Sequence, residues 1–212
     1  MEKSLKQIFD SVVKFDLDSI HADVTKALGE GITAQEILND GMIKAMAEVG
    51  RLFEEGEYFV PELLVAAMTM QKGLDVIQPI LLQNGIKSAG KVVLGTVKGD
   101  LHDVGKNLVG MMLKGAGFEV IDAGVDVSPE KFVEILKQSA DVKILALSAL
   151  LTTTMTNMKT TIDAVNNAGL RRNLKVMVGG APLTEGYAKE IGADGYAADA
   201  SKAVGLAKSL IA

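Results

Sequence analysis

Val92-Val93-Leu94-Gly95-Thr96-Val97-Lys98-Gly99-Asp100-Leu101-His102-Asp103-Val104-Gly105 is the stretch on which the reading of this chain turns. A short apolar run, Val92–Val97, has the length and β-branching of a buried strand, and the Gly- and Asp-bearing turn after it leads into a helical pattern over Gly105–Lys114. His102, one of two histidines in the chain, lies on the turn between them. A carboxylate on one imidazole nitrogen fixes the tautomer and makes the other nitrogen a better metal donor. Asp100 is placed to be that carboxylate. Gly105 permits close backbone approach, and the turn-forming Gly99 and Asp103 flank the histidine. His21 sits in a helical stretch with no supporting motif and reads as structural or solvated.

Downstream, the same alternation recurs. Strands are expected at Phe118–Asp122, Ile144–Ser148, Lys175–Gly179 and Gly195–Ala197, and helices at Pro129–Gln138, Met155–Asn167, Leu183–Ile191 and Ser201–Leu210. Five strands each followed by a helix imply a doubly wound, flavodoxin-like (Rossmann-like) parallel sheet with right-handed crossovers. Ligands of such sheets bind at the carboxyl ends of the strands, near the topological switch point. Upstream the period changes. Leu5, Ile8, Phe9, Val12 and Val13 recur at helical spacing, as do Leu17, Ile20, Val24 and Leu28. Gly29 and Gly31 are helix stops, and Thr33 with Glu36 is a capping-box start. A third helix carries Ile37 to about Phe53, and Pro61 opens a fourth through Leu74. The expected architecture is α/β: a four-helix bundle over 1–88, joined by the Gly-ended linker Gly85–Gly90 to a sheet domain over 89–212.

Composition narrows the function classes. The chain has 212 residues, 48% hydrophobic and 23% charged, which fits a globular protein. A net charge of −5 and no basic run longer than Arg171-Arg172 argue against nucleic acid as a partner. With no cysteine, the chain supplies no disulfide, zinc-thiolate or iron–sulfur ligand and no thiol nucleophile. Residues 1–16 are too polar for a signal peptide, and the apolar runs are far short of a membrane span. The expected location is the cytoplasm.

One histidine cannot hold a bare metal ion, so a metal at His102 would have to arrive inside a macrocycle. Asp100-x-His102-x-x-Gly105, then Ser148-x-Leu150, then Gly179-Gly180 resembles the three-part signature of cobalamin-binding domains. The resemblance covers essentially the whole chain, because Phe53-Glu54-Glu55-Gly56-Glu57-Tyr58-Phe59-Val60-Pro61-Glu62-Leu63 is similar to the cap segment of cobalamin-dependent methionine synthase. The additional catalytic domains of that enzyme have no counterpart here. The chain most resembles the small corrinoid proteins of methyltransferase systems acting on methanol, methylamines or methoxylated aromatics.

The resemblance implies a role for each loop. His102 would be the lower axial ligand of cobalt, displacing the cofactor's dimethylbenzimidazole, and Asp100 would accept the second imidazole N–H. Thr154 stands where methionine synthase has the serine that completes the relay. Ser148 and Thr152 would line the displaced nucleotide tail or the corrin edge, with Leu150 beside them. Gly99, Leu101, Asp103 and Gly105 complete the ligand loop. Gly179 and Gly180 would leave room for the tail, with Ala200 a further contact. Phe53, Val60 and Leu63 match cap residues over the upper face. Plainer readings stand beside these: Gly179-Gly180 as a tight strand exit, Thr152–Thr154 as the N-cap of the next helix, and Phe53, Val60 and Leu63 as a buried bundle seam.

The implied function is a methyl carrier cycling between methyl-Co(III) and Co(I), not catalytic alone. One methyltransferase would load it from a substrate, and another would pass the methyl to tetrahydrofolate or a thiol carrier. A reductive activase is a further implied partner, and the Gly-ended linker is a candidate hinge for opening the cap. The other classes left open are an adenosylcobalamin isomerase subunit, a cobalamin-based sensor, and a flavodoxin-like electron carrier or phosphorelay receiver without cobalt.

Overall fold

The computed structural model describes residues 3–83 (the Leu82 side chain apart), 88–139 and 141–212. The chain divides into two compact units, one of residues 1–88 with 114–117 and one of residues 89–113 with 118–212. Residues 85–87, half of the expected linker Gly85–Gly90, lie outside the described residues.

The first unit is helical. α1 (Lys3–Val13) buries Leu5, Ile8 and Val12, the single stripe that its spacing predicts. α2 (Ile20–Gly29) stops at the first expected glycine. The capping box appears as read: the Thr33 hydroxyl accepts the Glu36 N–H at 3.2 Å while the Glu36 carboxylate accepts the Thr33 N–H at 2.9 Å. From it α3 (Ala34–Glu36), a π-helical segment (Ile37–Ile43) and α4 (Lys44–Glu54) follow without a break. α5 (Val60–Gln83) has Pro61 in its first turn and runs past the Leu74 expected from the sequence, carrying Pro79 inside it. Leu63, Met70 and Ile77 of α5 repeat at heptad spacing and are fully buried.

The second unit is the doubly wound sheet. Its strands are β1 (Lys91–Val97), β2 (Glu119–Val127), β3 (Val142–Ser148), β4 (Lys175–Gly179) and β5 (Gly195–Ala197), all parallel in the order β2-β1-β3-β4-β5. The helices between and after them are α6 (Val104–Gly115), α7 (Pro129–Gln138), α8 (Thr156–Asn167), α9 (Glu185–Glu190) and α10 (Ala200–Ile211). β1, β3 and β4 are buried apolar runs, as strands covered on both faces must be. At Gly95 an added Cβ would lie 2.7 Å from the fully buried Phe132 ring, so the bare position on β1 is what lets α7 pack down.

Several element boundaries shift from the sequence reading, and three of the shifts bear on the site. β2 extends five residues past Asp122, because two register shifts against β1 carry it through Ala123-Gly124-Val125-Asp126, where alternation is lost. α9 is shorter than Leu183–Ile191, starting after the N-cap Thr184, whose hydroxyl accepts the Tyr187 N–H. α8 starts at Thr156 with no side-chain cap, so Thr152–Thr154 form a turn ahead of the helix and not its N-cap. Among the described residues no helix is long and apolar enough to cross a membrane.

Candidate functional site

The chain reverses direction across the sheet between β1 and β3, which are hydrogen-bonded neighbours although β2 separates them in sequence. The loops leaving these two strands therefore start side by side, and they carry the residues that the sequence singled out. Asp100, on the β1 loop, is completely buried at 0% exposure. One carboxylate oxygen, Oδ1, lies 2.7 Å from His102 Nδ1 and accepts the His102 backbone N–H at 3.1 Å. The other, Oδ2, accepts the Thr154 hydroxyl at 2.6 Å and the N–H groups of Leu150 and Leu151 at 2.8 and 3.3 Å. Only an ionised carboxylate can serve so many donors.

Burial pushes the Asp100 carboxyl up, but the hydrogen bonds from Thr154, Leu150 and His102 outweigh it and hold the group well below the usual carboxylate range. An ionised Asp100 favours a proton on the Nδ1 that it faces, which leaves Nε2 as the nitrogen available to a ligand. The Thr154 hydroxyl has a second acceptor in Leu151 O at 3.0 Å; its one proton goes to the shorter, charged bond to Asp100.

The imidazole is half-exposed, at 50%, above its buried carboxylate. The β1 and β3 loops also carry apolar side chains that a soluble surface would ordinarily hide. Leu101 is 71% and Val104 65% exposed, and Leu150 and Leu151 are exposed as well. At Gly105 an added Cβ would meet nothing within 4 Å, so no neighbour in this chain requires a glycine there. Asp103 sits just ahead of α6, its carbonyl accepting the Asn107 N–H at 2.7 Å. Gly99 holds φ at 81°, a left-handed conformation that turns the chain out of β1.

The remaining loop residues gather at the same edge of the sheet. Ser148 ends β3, in register with Thr96 on β1 and Gly179 on β4. Thr152 is exposed on the turn ahead of α8. Gly180 has φ 140°, and a Cβ there would come within 1.8 Å of the Ala149 carbonyl oxygen, so the backbones after β3 and β4 meet where no side chain fits. Ala200 is buried at the first turn of α10, behind the N-cap Asp199. In the helical unit Phe53 is half-buried, Val60 is exposed and Leu63 is completely buried. Selection by sequence passed over Phe59 and Met68, both exposed. The available signal was the spacing of Val60, Leu64 and Met68, one stripe of α5 apart from the buried Leu63, Met70 and Ile77.

Among the described residues no three His, Asp or Glu side chains cluster as a metal-ion site. One imidazole nitrogen on loops that also expose leucine and valine fits a metal already held in a large, flat, apolar-edged macrocycle. Residues 90–205, more than half of the chain, match the family model described as B12 binding domain. The chain belongs to the B12-binding family. A second model of the same description matches residues 4–78. Dimethylamine corrinoid protein 1 of Methanosarcina acetivorans is 42% identical over 212 residues, covering 100% of this chain and 99% of that protein. A crystal structure of a cobalamin-binding protein from Desulfitobacterium hafniense superposes with a TM-score of 0.81 at 33% identity, covering 98% of both chains. The methanol:cobalamin methyltransferase complex MtaBC of Methanosarcina barkeri superposes with a TM-score of 0.87 at 26% identity, covering 100% of this chain and 80% of that one. As a member of the B12-binding family, the chain binds a cobalamin-type corrinoid.

Proposed function

We propose that the chain is a corrinoid methyl carrier, with His102 as the lower axial ligand of the corrinoid cobalt. The observation that carries this reading is the Asp100–His102 pair at the switch point, with Asp100 Oδ1 2.7 Å from Nδ1, on loops that also expose apolar side chains. When bound, the corrinoid supplies the chemistry, since its cobalt accepts and releases the methyl group. The chain's own residues set the conditions. Asp100 orients the imidazole, and Thr154 with the Leu150 and Leu151 N–H groups keeps Asp100 ionised and fixed. Leu101, Val104, Leu150 and Leu151 keep water from the imidazole once these loops are covered. Ser148, Thr152, Gly179, Gly180 and Ala200 lie along the sheet edge that would take the cofactor's nucleotide tail. In the helical unit Phe53, Val60 and Leu63 are the proposed cofactor contacts, Val60 with its side chain exposed.

A dimethylamine corrinoid protein among the relatives favours methylamines as the methyl source, through a separate substrate-specific methyltransferase. A second methyltransferase would carry the methyl to tetrahydrofolate or a thiol, and a reductive activase would restore inactive cofactor. The test uses full-length protein loaded with hydroxocobalamin, reduced, and mixed with a methylamine methyltransferase and each methylamine in turn. Methyl uptake, seen in the cofactor absorption spectrum and diminished in His102→Ala, is the expected result. A loaded protein that takes no methyl group from methylamines, methanol or methoxyarenes, each with its methyltransferase, contradicts the carrier reading. Tetrahydrofolate and thiol acceptors, offered with their own transferases, then decide the second half-reaction.

A further inference from the structure

Among the residues outside the His102 loop that hydrogen-bond to it is Asp126. Asp126 lies near the end of β2, where the register against β1 slips twice: Leu94 pairs with Asp122, Gly95 with Gly124, and Val97 with Val127. Each slip inserts one extra residue on β2, and such bulges re-aim side chains beside functional sites. Asp126 emerges with φ at 52°, one of three non-glycine residues with positive φ among those described. In that conformation it holds the loop twice. Its Oδ1 accepts the Gly99 N–H at 2.6 Å, and its own N–H donates to the Asp100 carbonyl at 2.9 Å.

The bulge is itself braced. Asp122 Oδ1 accepts the Gly124 N–H at 2.9 Å, and the Asp122 carboxylate pairs with the buried Lys106 ammonium of α6 at 2.5 Å. On the far side of the loop the buried Thr96 hydroxyl donates to the His102 carbonyl at 2.9 Å. The backbone from Gly99 to His102 is thus fixed at both ends: the Asp100 N–H donates to the Val97 carbonyl at 3.1 Å, and Asp126 holds the Gly99 N–H and the Asp100 carbonyl.

We infer that Asp126 is a positioning residue for His102. By fixing Gly99 and Asp100 it sets the Asp100 carboxylate against Nδ1 and so holds the imidazole in its Nδ1–H tautomer with Nε2 available. Asp126 touches neither the imidazole nor the reacting atoms. It acts through the backbone of the ligand loop. The consequence for cobalt rests on the ligand reading of His102; the consequence for the tautomer does not.

The test separates the two. Nitrogen-15 NMR of the full chain without cofactor reads the His102 tautomer, with His102→Ala distinguishing its signals from those of His21. The wild-type protein is expected in the Nδ1–H form. Asp126→Asn keeps an acceptor and tolerates positive φ, so it should retain that form. Asp126→Ala and Asp126→Gly lose the acceptor and should shift His102 toward the Nε2–H form that free imidazoles favour. Glycine adopts the left-handed conformation freely, so Asp126→Gly remains informative if the alanine variant does not fold. Hydroxocobalamin affinity should fall about tenfold in Asp126→Gly, at the low end of the effect of losing an outer partner of a metal ligand. An unchanged tautomer in Asp126→Gly overturns the assignment. If instead the tautomer depends on Asp126 but His102→Ala binds hydroxocobalamin as wild type does, positioning stands and the ligand reading falls.

Discussion

A buried carboxylate that accepts from His102, Leu150, Leu151 and Thr154 has no place for a proton and little tolerance for replacement. Asp100→Asn turns one acceptor oxygen into a donor that faces other donors. It should destabilise the fold by about 2–3 kcal/mol in urea denaturation, the scale of losing charged hydrogen bonds at a buried group. Corrinoid affinity should drop about 10–100-fold by absorbance titration, because His102 loses its orienting partner. Thr154→Ser should be near neutral, whereas Thr154→Val should cost about 1 kcal/mol, since it removes one of several donors and leaves the carboxylate otherwise served. The Asp100–His102 pairing was legible from the sequence because it spans two residues of one loop. Thr154 became visible only through the family resemblance. The backbone donors of Leu150 and Leu151 had no sequence signature at all, since any residue supplies an N–H. Asp126 was invisible for a related reason: its role depends on two register slips that no local pattern announces.

At the scale of elements, the strands were readable wherever burial imposes continuous apolar runs, as in β1, β3 and β4. β2 was cut short because its last turn of pairing is bulged and polar. In the helical unit, sequence spacing found α5 but not which of its faces stays exposed; Leu63 and Val60 lie three residues apart and differ completely in burial. The glycines divide in the same way. At Gly180 an added Cβ meets the Ala149 backbone oxygen at 1.8 Å, while at Gly95 it meets the edge of the Phe132 ring at 2.7 Å. A ring edge can yield, at a cost of about 1–3 kcal/mol for an overpacked core, whereas a carbonyl fixed between two strands cannot. Gly180→Ala should therefore lower the melting temperature more than Gly95→Ala, and should also weaken corrinoid binding, since it displaces the Ala149–Leu151 backbone that serves Asp100. Equal melting temperatures in the two variants would contradict this reading of the β3 and β4 exits.

For the whole molecule, the acidic net charge and the absence of cysteine exclude much but select nothing. Selection came from three loops brought to one edge of the sheet by the β2-β1-β3-β4-β5 order. A ligand that binds only the folded chain must stabilise it, so corrinoid at about 100 times its dissociation constant should add about 2.7 kcal/mol to unfolding, and less in His102→Ala at the same concentration. The central claim, that His102 Nε2 ligates the cobalt in place of the cofactor's own base, has a direct spectroscopic test. Protein grown with nitrogen-15 histidine is loaded with cobalamin, reduced to the Co(II) state, and examined by electron paramagnetic resonance. If His102 is the axial ligand, the nitrogen splitting changes from a triplet to a doublet on labelling and is lost in His102→Ala. A triplet that labelling leaves unchanged would mean that the cofactor keeps its own base, and the account of the site would be wrong.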